Sequence, residues 1–61
     1  MSVPDERLLS VEEVATYLGV SEGTIRGLRS EGRFAPAFRI GKHLRWHRSD
    51  IDGWLLDQKE R

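Results

Sequence analysis

The chain contains no cysteine. No disulfide can brace its fold, and no thiolate can hold a zinc ion. It has no long apolar run, and nothing approaches the roughly 20 consecutive apolar residues needed to span a bilayer. Residues 1–7 lack an apolar stretch of the kind a secretory signal carries, so the cytoplasm is the expected compartment. Net charge is also absent, with ten basic and ten acidic side chains. Length is limited too: 61 residues make one small domain of marginal stability. That leaves room for a core and one binding surface but little for a closed, water-excluding pocket, so catalysis is not expected.

The zero net charge hides a segregation. Residues 1–22 carry one basic residue, Arg7, against five acidic ones, a net of −4. Residues 23–48 carry seven basic residues against Glu31 alone, a net of +6. Residues 49–61 return to −2. A basic middle between acidic ends is the electrostatic footprint of a chain that meets an anionic partner with one face.

Local patterns divide the chain into a short arm (residues 1–7), a domain (residues 8–58) and a tail (residues 59–61). Leu8 and Leu9 can tuck the end of the arm against a core. Ser10 followed by Glu13 is a capping-box pair, in which each side chain satisfies the other's orphan backbone amide. Val11, Val14, Ala15 and Leu18 then repeat at helical spacing and form one apolar face. Gly19 ends this helix and Ser21 caps a second, over about residues 22–30, with Ile25 and Leu28 inward. Gly23, Arg26, Gly27 and Ser30 lie opposite, and the glycines permit close backbone approach to a partner. Residues 33–37 read as a linker.

Phe38-Arg39-Ile40 and Leu44-Arg45-Trp46 read as two strands joined by a three-residue turn, Gly41-Lys42-His43. This register assumes that Ile40 and Leu44 share a buried face. It sets Phe38 opposite Trp46 on the core side and Arg39 opposite Arg45 on the other, a like-charge pair that an anionic partner would relieve. Ser49 caps a third helix, with Asp50 and Asp52 at its positive end and Ile51, Trp54 and Leu55 as its apolar stripe. The expected fold is α+β: two N-terminal helices, a two-stranded β-hairpin and a C-terminal helix.

Enzyme and metal chemistry find little purchase. His43 and His47 are four apart on a reading that makes the intervening residues a strand, which separates them by about 13 Å, too far to share one ion. No metal or other cofactor is expected. The serines at 10, 21 and 49 are explained as caps, and no glycine pattern cradles a phosphate.

Double-stranded DNA as the partner explains more. Two short helices joined by Gly19-Val20-Ser21 match a helix-turn-helix, whose second helix enters the major groove. Arg26 is then the candidate for a guanine edge. Glu22 can accept from cytosine N4 or simply complement the helix dipole, and Ser21 and Gly23 stand where phosphate or backbone would approach. Arg29, Ser30 and Arg33 suit backbone contacts. Arg39, Lys42, His43 and Arg45 sit on a hairpin suited to a minor groove or phosphate ridge. If about five phosphates are neutralised, log K against log salt should slope by roughly −4 to −5.

The stretch Leu9-Ser10-Val11-Glu12-Glu13-Val14-Ala15, with Tyr17-Leu18-Gly19-Val20-Ser21 and Thr24-Ile25-Arg26, resembles the first half of the winged-helix domain of the MerR superfamily. Phe38-Arg39-Ile40-Gly41, Leu44-Arg45-Trp46 and Ser49-Asp50-Ile51-Asp52-Gly53-Trp54-Leu55 resemble its excisionase-like, AlpA-type branch. The resemblance covers about residues 8–56. It implies a winged helix-turn-helix that binds DNA through the second helix and the wing. It further implies a phage-type excisionase, or recombination directionality factor, that binds and bends attachment-site DNA beside a partner integrase; the alternative is a small AlpA-like transcriptional regulator. Effector sensing is not expected, because no long dimerisation helix follows residue 61. The acidic ends and basic middle also suggest head-to-tail association of copies on DNA. A protein-interaction adaptor that turns the same basic face to an acidic partner is the remaining expectation.

Overall fold

A computed structural model describes residues 7–60; residues 1–6 of the expected arm and Arg61 of the tail lie outside the described residues. The order is α1 (Val11–Leu18), α2 (Glu22–Ser30), β1 (Phe38–Ile40), β2 (His43–Arg45) and α3 (Arg48–Asp57). This is the small α+β winged helix-turn-helix that the sequence leads one to expect.

The two N-terminal helices follow from local chemistry. Ser10 accepts from the Glu13 amide at 3.2 Å while its own amide donates to the Glu13 carboxylate at 2.9 Å. Gly19 adopts the left-handed conformation, φ +73°, and donates to the Ala15 and Thr16 carbonyls. Only glycine takes that turn without strain. Ser21 caps α2 by accepting from the Thr24 amide at 3.1 Å.

Val14, Ile25 and Ile51, one from each helix, are fully buried around the ring of Trp46, with Ala15 and Ala35 closing the core. Leu9, Val11, Leu18, Phe34, Ala37, Leu44 and Trp54 pack around it. Two indoles tie down the linker between α2 and the hairpin. Trp46 Nε1 donates to the Ala35 carbonyl at 3.2 Å and Trp54 Nε1 to the Arg33 carbonyl at 2.8 Å. Phe34 fills the space between them, its ring edge-on to both, with centroids 5.8 and 4.6 Å away. The end of the arm joins the same core. Leu9 and Trp46 exchange backbone hydrogen bonds of 2.8 and 2.9 Å, a third strand position beside β2.

The hairpin corrects the register expected above. Phe38 pairs with Arg45, Arg39 with Leu44 and Ile40 with His43. The turn therefore has two residues, Gly41 and Lys42, not three. Gly41 has φ +61° while Lys42 stays at negative φ, the pattern of a type II′ turn, whose twist suits flanking strands. A one-residue slip moves side chains to the other face. Leu44 and Trp46 point to the core, but Ile40 and Phe38 do not: they are 53% and 47% exposed. Arg39 and Arg45 are not opposite each other, and no like-charge pair strains the hairpin.

α3 departs in two further ways. Its N-cap is His47, which makes no side-chain capping bond, and Ser49 lies inside the first turn. The Leu9–Trp46 pairing holds the strand through residue 46 and leaves a single residue before the helix begins. A tertiary anchor steadies that first turn: the Tyr17 hydroxyl donates to Asp52, and Arg48 lies 4.0 Å from Asp52 and over the Tyr17 ring. Leu55, expected in the apolar stripe, is exposed, as is Leu56 beside it. No helix among the described residues is long and apolar enough to cross a membrane.

Candidate nucleic-acid interface

α2 presents its outward residues because Ile25, fully buried, turns the other side to the core. Arg26, Arg29 and Ser30 are exposed as a result. Between this face, the first turn of α1 and strand β2 runs a groove of about 380 Å³. Arg26 and Arg29 line it from the helix, and Lys42, His43 and Arg45 from the hairpin. Five of the eleven residues singled out in the sequence thus converge on one concave surface. Its floor is formed by Ile25, Leu44 and Trp46, so the cations stand on a rigid part of the core.

The other six are distributed around it. Ser21, Glu22 and Gly23 form the N-terminal start of α2, and Ser21 is engaged in capping. Ser30 and Arg33 lie at its far end, with Arg33 paired to Glu31 at 2.9 Å. Arg39 is on β1, across from Leu44 and away from the groove; it borders a separate depression with Leu8, Phe38, Ile40 and His47.

The charges of the groove are held to different degrees. Arg26 Nη1 donates to Glu22 at 3.1 Å, one helical turn away. Arg45 Nη1 donates to the Leu44 carbonyl at 2.8 Å and is half-buried. Its charge also reaches Glu13. The Glu13 carboxyl is held below its ordinary value of 4.5, chiefly by the donated Ser10 amide, against a smaller opposing cost of desolvation, and with help from Arg7 and Arg45. Arg29 and Lys42 make no ion pair among the described residues, so their charges are open to an incoming anion.

A helix-turn-helix domain family matches the chain over residues 8–59. The chain belongs to that family. A relative is the uncharacterized protein ORF88 of Enterobacteria phage P4, 37% identical over 59 residues that cover 90% of this chain and 67% of the phage protein. As a helix-turn-helix domain the protein binds DNA, and α2 is its second helix.

The groove of this helix-turn-helix domain includes residues that sequence reasoning passed over. Ser10, Val11 and Glu12 line it from the start of α1. Each already had a local explanation as cap, core residue or solvated acid. Nothing in their spacing reports that the hairpin folds back beside them. Among the described residues, no three histidine, aspartate or glutamate side chains gather where they could hold a metal ion.

Proposed function

We propose that this helix-turn-helix protein is a DNA-binding excisionase of the MerR-superfamily, AlpA-type branch, a recombination directionality factor. It binds and bends attachment-site DNA and steers a partner integrase toward excision. It performs no catalytic step itself; strand cleavage belongs to the integrase. The observation that carries the reading is the convergence of Arg26, Arg29, Lys42, His43 and Arg45 on one groove between the second helix and the hairpin. A recognition helix in the major groove with a wing beside it needs that layout. The resemblance of residues 38–55 to the excisionase-like branch, and a relative carried by a phage, add support.

In this reading Arg26 reads a guanine edge, with Glu22 beside it, while Ser21 and Gly23 approach the backbone. Arg29, Ser30, Arg33, Lys42, His43 and Arg45 hold phosphates, and Arg39 meets the duplex from the β1 edge of the wing. Copies on adjacent sites meet head to tail, acidic ends against basic middle, and the complex works on DNA in the cytoplasm of a bacterial host.

The test is a reconstituted reaction. Purified protein is added to an integrase and a recombined attachment-site plasmid from the same element, and excision is scored. Dependence of excision on the protein is the expected outcome. DNA binding without any effect on excision, accompanied by a change in transcription from a nearby promoter, would replace the reading with a small AlpA-like regulator. Tight binding to an acidic protein with none to DNA would replace it with an adaptor.

A further inference from the structure

On the outer face of the hairpin His43 and Arg45 border the groove, but the two β1 side chains, Phe38 and Ile40, are explained neither by the core nor by the groove. Neighbours across a strand pair share a face, so Phe38, Ile40, His43 and Arg45 lie on one side of the sheet. β1 supplies two large apolar side chains and β2 two polar or charged ones. Phe38 and Ile40 are each about half exposed. Side by side they form an apolar patch that a partner can cover, and the charge around them says of what kind. From Gly32 to Ser49 the sequence holds Arg33, Arg39, Lys42, Arg45 and Arg48 and not one acidic residue. A partner matched to this surface is anionic as well as apolar. Stacked bases edged by phosphates have that combination.

We propose that the wing inserts Ile40 as an apolar wedge between base pairs in the minor groove and so kinks the duplex. This rests on the DNA-binding reading above and adds the residue that produces the bend. Ile40 immediately precedes the Gly41-Lys42 turn. Ile40 belongs to the last pair before the turn and a strand rises about 3.3 Å per residue, so it lies about 3 Å behind the tip of the wing. The minor groove is about 7.5 Å deep, so a tip that enters it carries Ile40 below the rim, toward the base edges. Phe38 is two residues further back and stays at the rim. There its ring is braced edge-on against His47, with centroids 5.6 Å apart. Arg39 and Lys42, which make no ion pair among the described residues, flank the wedge and meet the phosphates on either side. Apolar side chains inserted this way open a base step and bend the duplex away from the protein, and the bend brings more DNA onto the basic surface.

The experiment uses the full chain and a duplex it selects from a random library. End-to-end energy transfer reports the bend, and 2-aminopurine placed along the site reports unstacking. The wild-type protein is expected to bend the duplex and brighten the probe at one step. Ile40→Thr keeps a strand-compatible side chain at an exposed position, so folding is preserved. It is expected to lose a kink on the order of 20–90° and the probe signal. Its dependence on salt stays as in the wild type, because no phosphate contact is removed. Arg39→Gln gives the opposite pattern, a salt slope smaller by about 0.9 with the unstacking signal retained. An Ile40→Thr protein that bends and unstacks like the wild type overturns the wedge. So does a change in the sedimentation of free protein, or loss of binding to anionic vesicles, on the same substitution; a second copy or a membrane would then cover the patch. Failure of the wild type to select any duplex would instead sink the DNA-binding reading itself.

Discussion

Arg26 shows how a surface pair can serve recognition without stabilising much. Its guanidinium is tied to Glu22 at 3.1 Å, both side chains substantially exposed. Such pairs contribute about 0.3–0.5 kcal/mol, and a guanine edge can displace Glu22 at little cost. Glu22 also repels phosphate and so discourages Arg26 from settling on the backbone of any sequence. Replacing Arg26 with Ala is expected to narrow the gap between selected and scrambled duplexes by about 1–3 kcal/mol. Replacing Glu22 with Gln is expected to raise affinity for both. Anisotropy titrations on the two duplexes measure this. Equal weakening of both by Arg26→Ala would make Arg26 a phosphate contact. The Glu22–Arg26 spacing is visible in the sequence, since residues four apart on a helix are neighbours. The position of Arg45 is not: its half-burial and its reach toward Glu13 depend on how the hairpin docks.

At the scale of elements, the caps of α1 and α2 were legible and the register of the hairpin was not. The Ser10–Glu13 box needs only residues three apart, so local spacing suffices. Its pH dependence follows. The folded Glu13 carboxyl lies below its ordinary 4.5, so its contribution is present above that value and is lost as the pH falls through the folded value. Denaturant midpoints of wild type and Glu13→Ala, compared from neutral to acid pH, should converge at the acid end. A gap that persists there would mean the charge plays no part. Ser10→Ala is expected to cost about 1 kcal/mol. The hairpin failed on parity. The three-residue turn rested on Ile40 and Leu44 sharing a buried face, whereas only Leu44 is turned inward. Gly41 at the first turn position favours a two-residue connection, and that choice exposes Ile40. The Ser49 cap failed for a related reason. A serine inside a helix start looks the same in sequence as one that caps it, and the Leu9–Trp46 pairing decides which.

For the whole molecule, Trp46 is the piece on which the rest depends. It is fully buried, pairs with Leu9, bonds the linker at Ala35 and packs under the groove. Truncating a buried Trp to Ala costs about 3–5 kcal/mol, and a domain this small has about 5 in all. Trp46→Ala is therefore expected to be largely unfolded at 25 °C by circular dichroism. Trp54→Phe keeps an aromatic ring against Phe34 but leaves the Arg33 carbonyl without its indole donor. It is expected to lose about 1 kcal/mol, read from the urea midpoint. A cooperative melt of Trp46→Ala at the wild-type temperature would show that the three helices hold together without that ring. The sequence by itself determined the helix pair, its caps and turn, the basic middle of the chain and the presence of a hairpin, because those depend on neighbours within a few residues. Which face of the hairpin is buried, where α3 begins, and which cations share a groove were settled by tertiary structure. Those outcomes turn on contacts between residues far apart in the chain, and a shift of one residue in strand pairing reverses them.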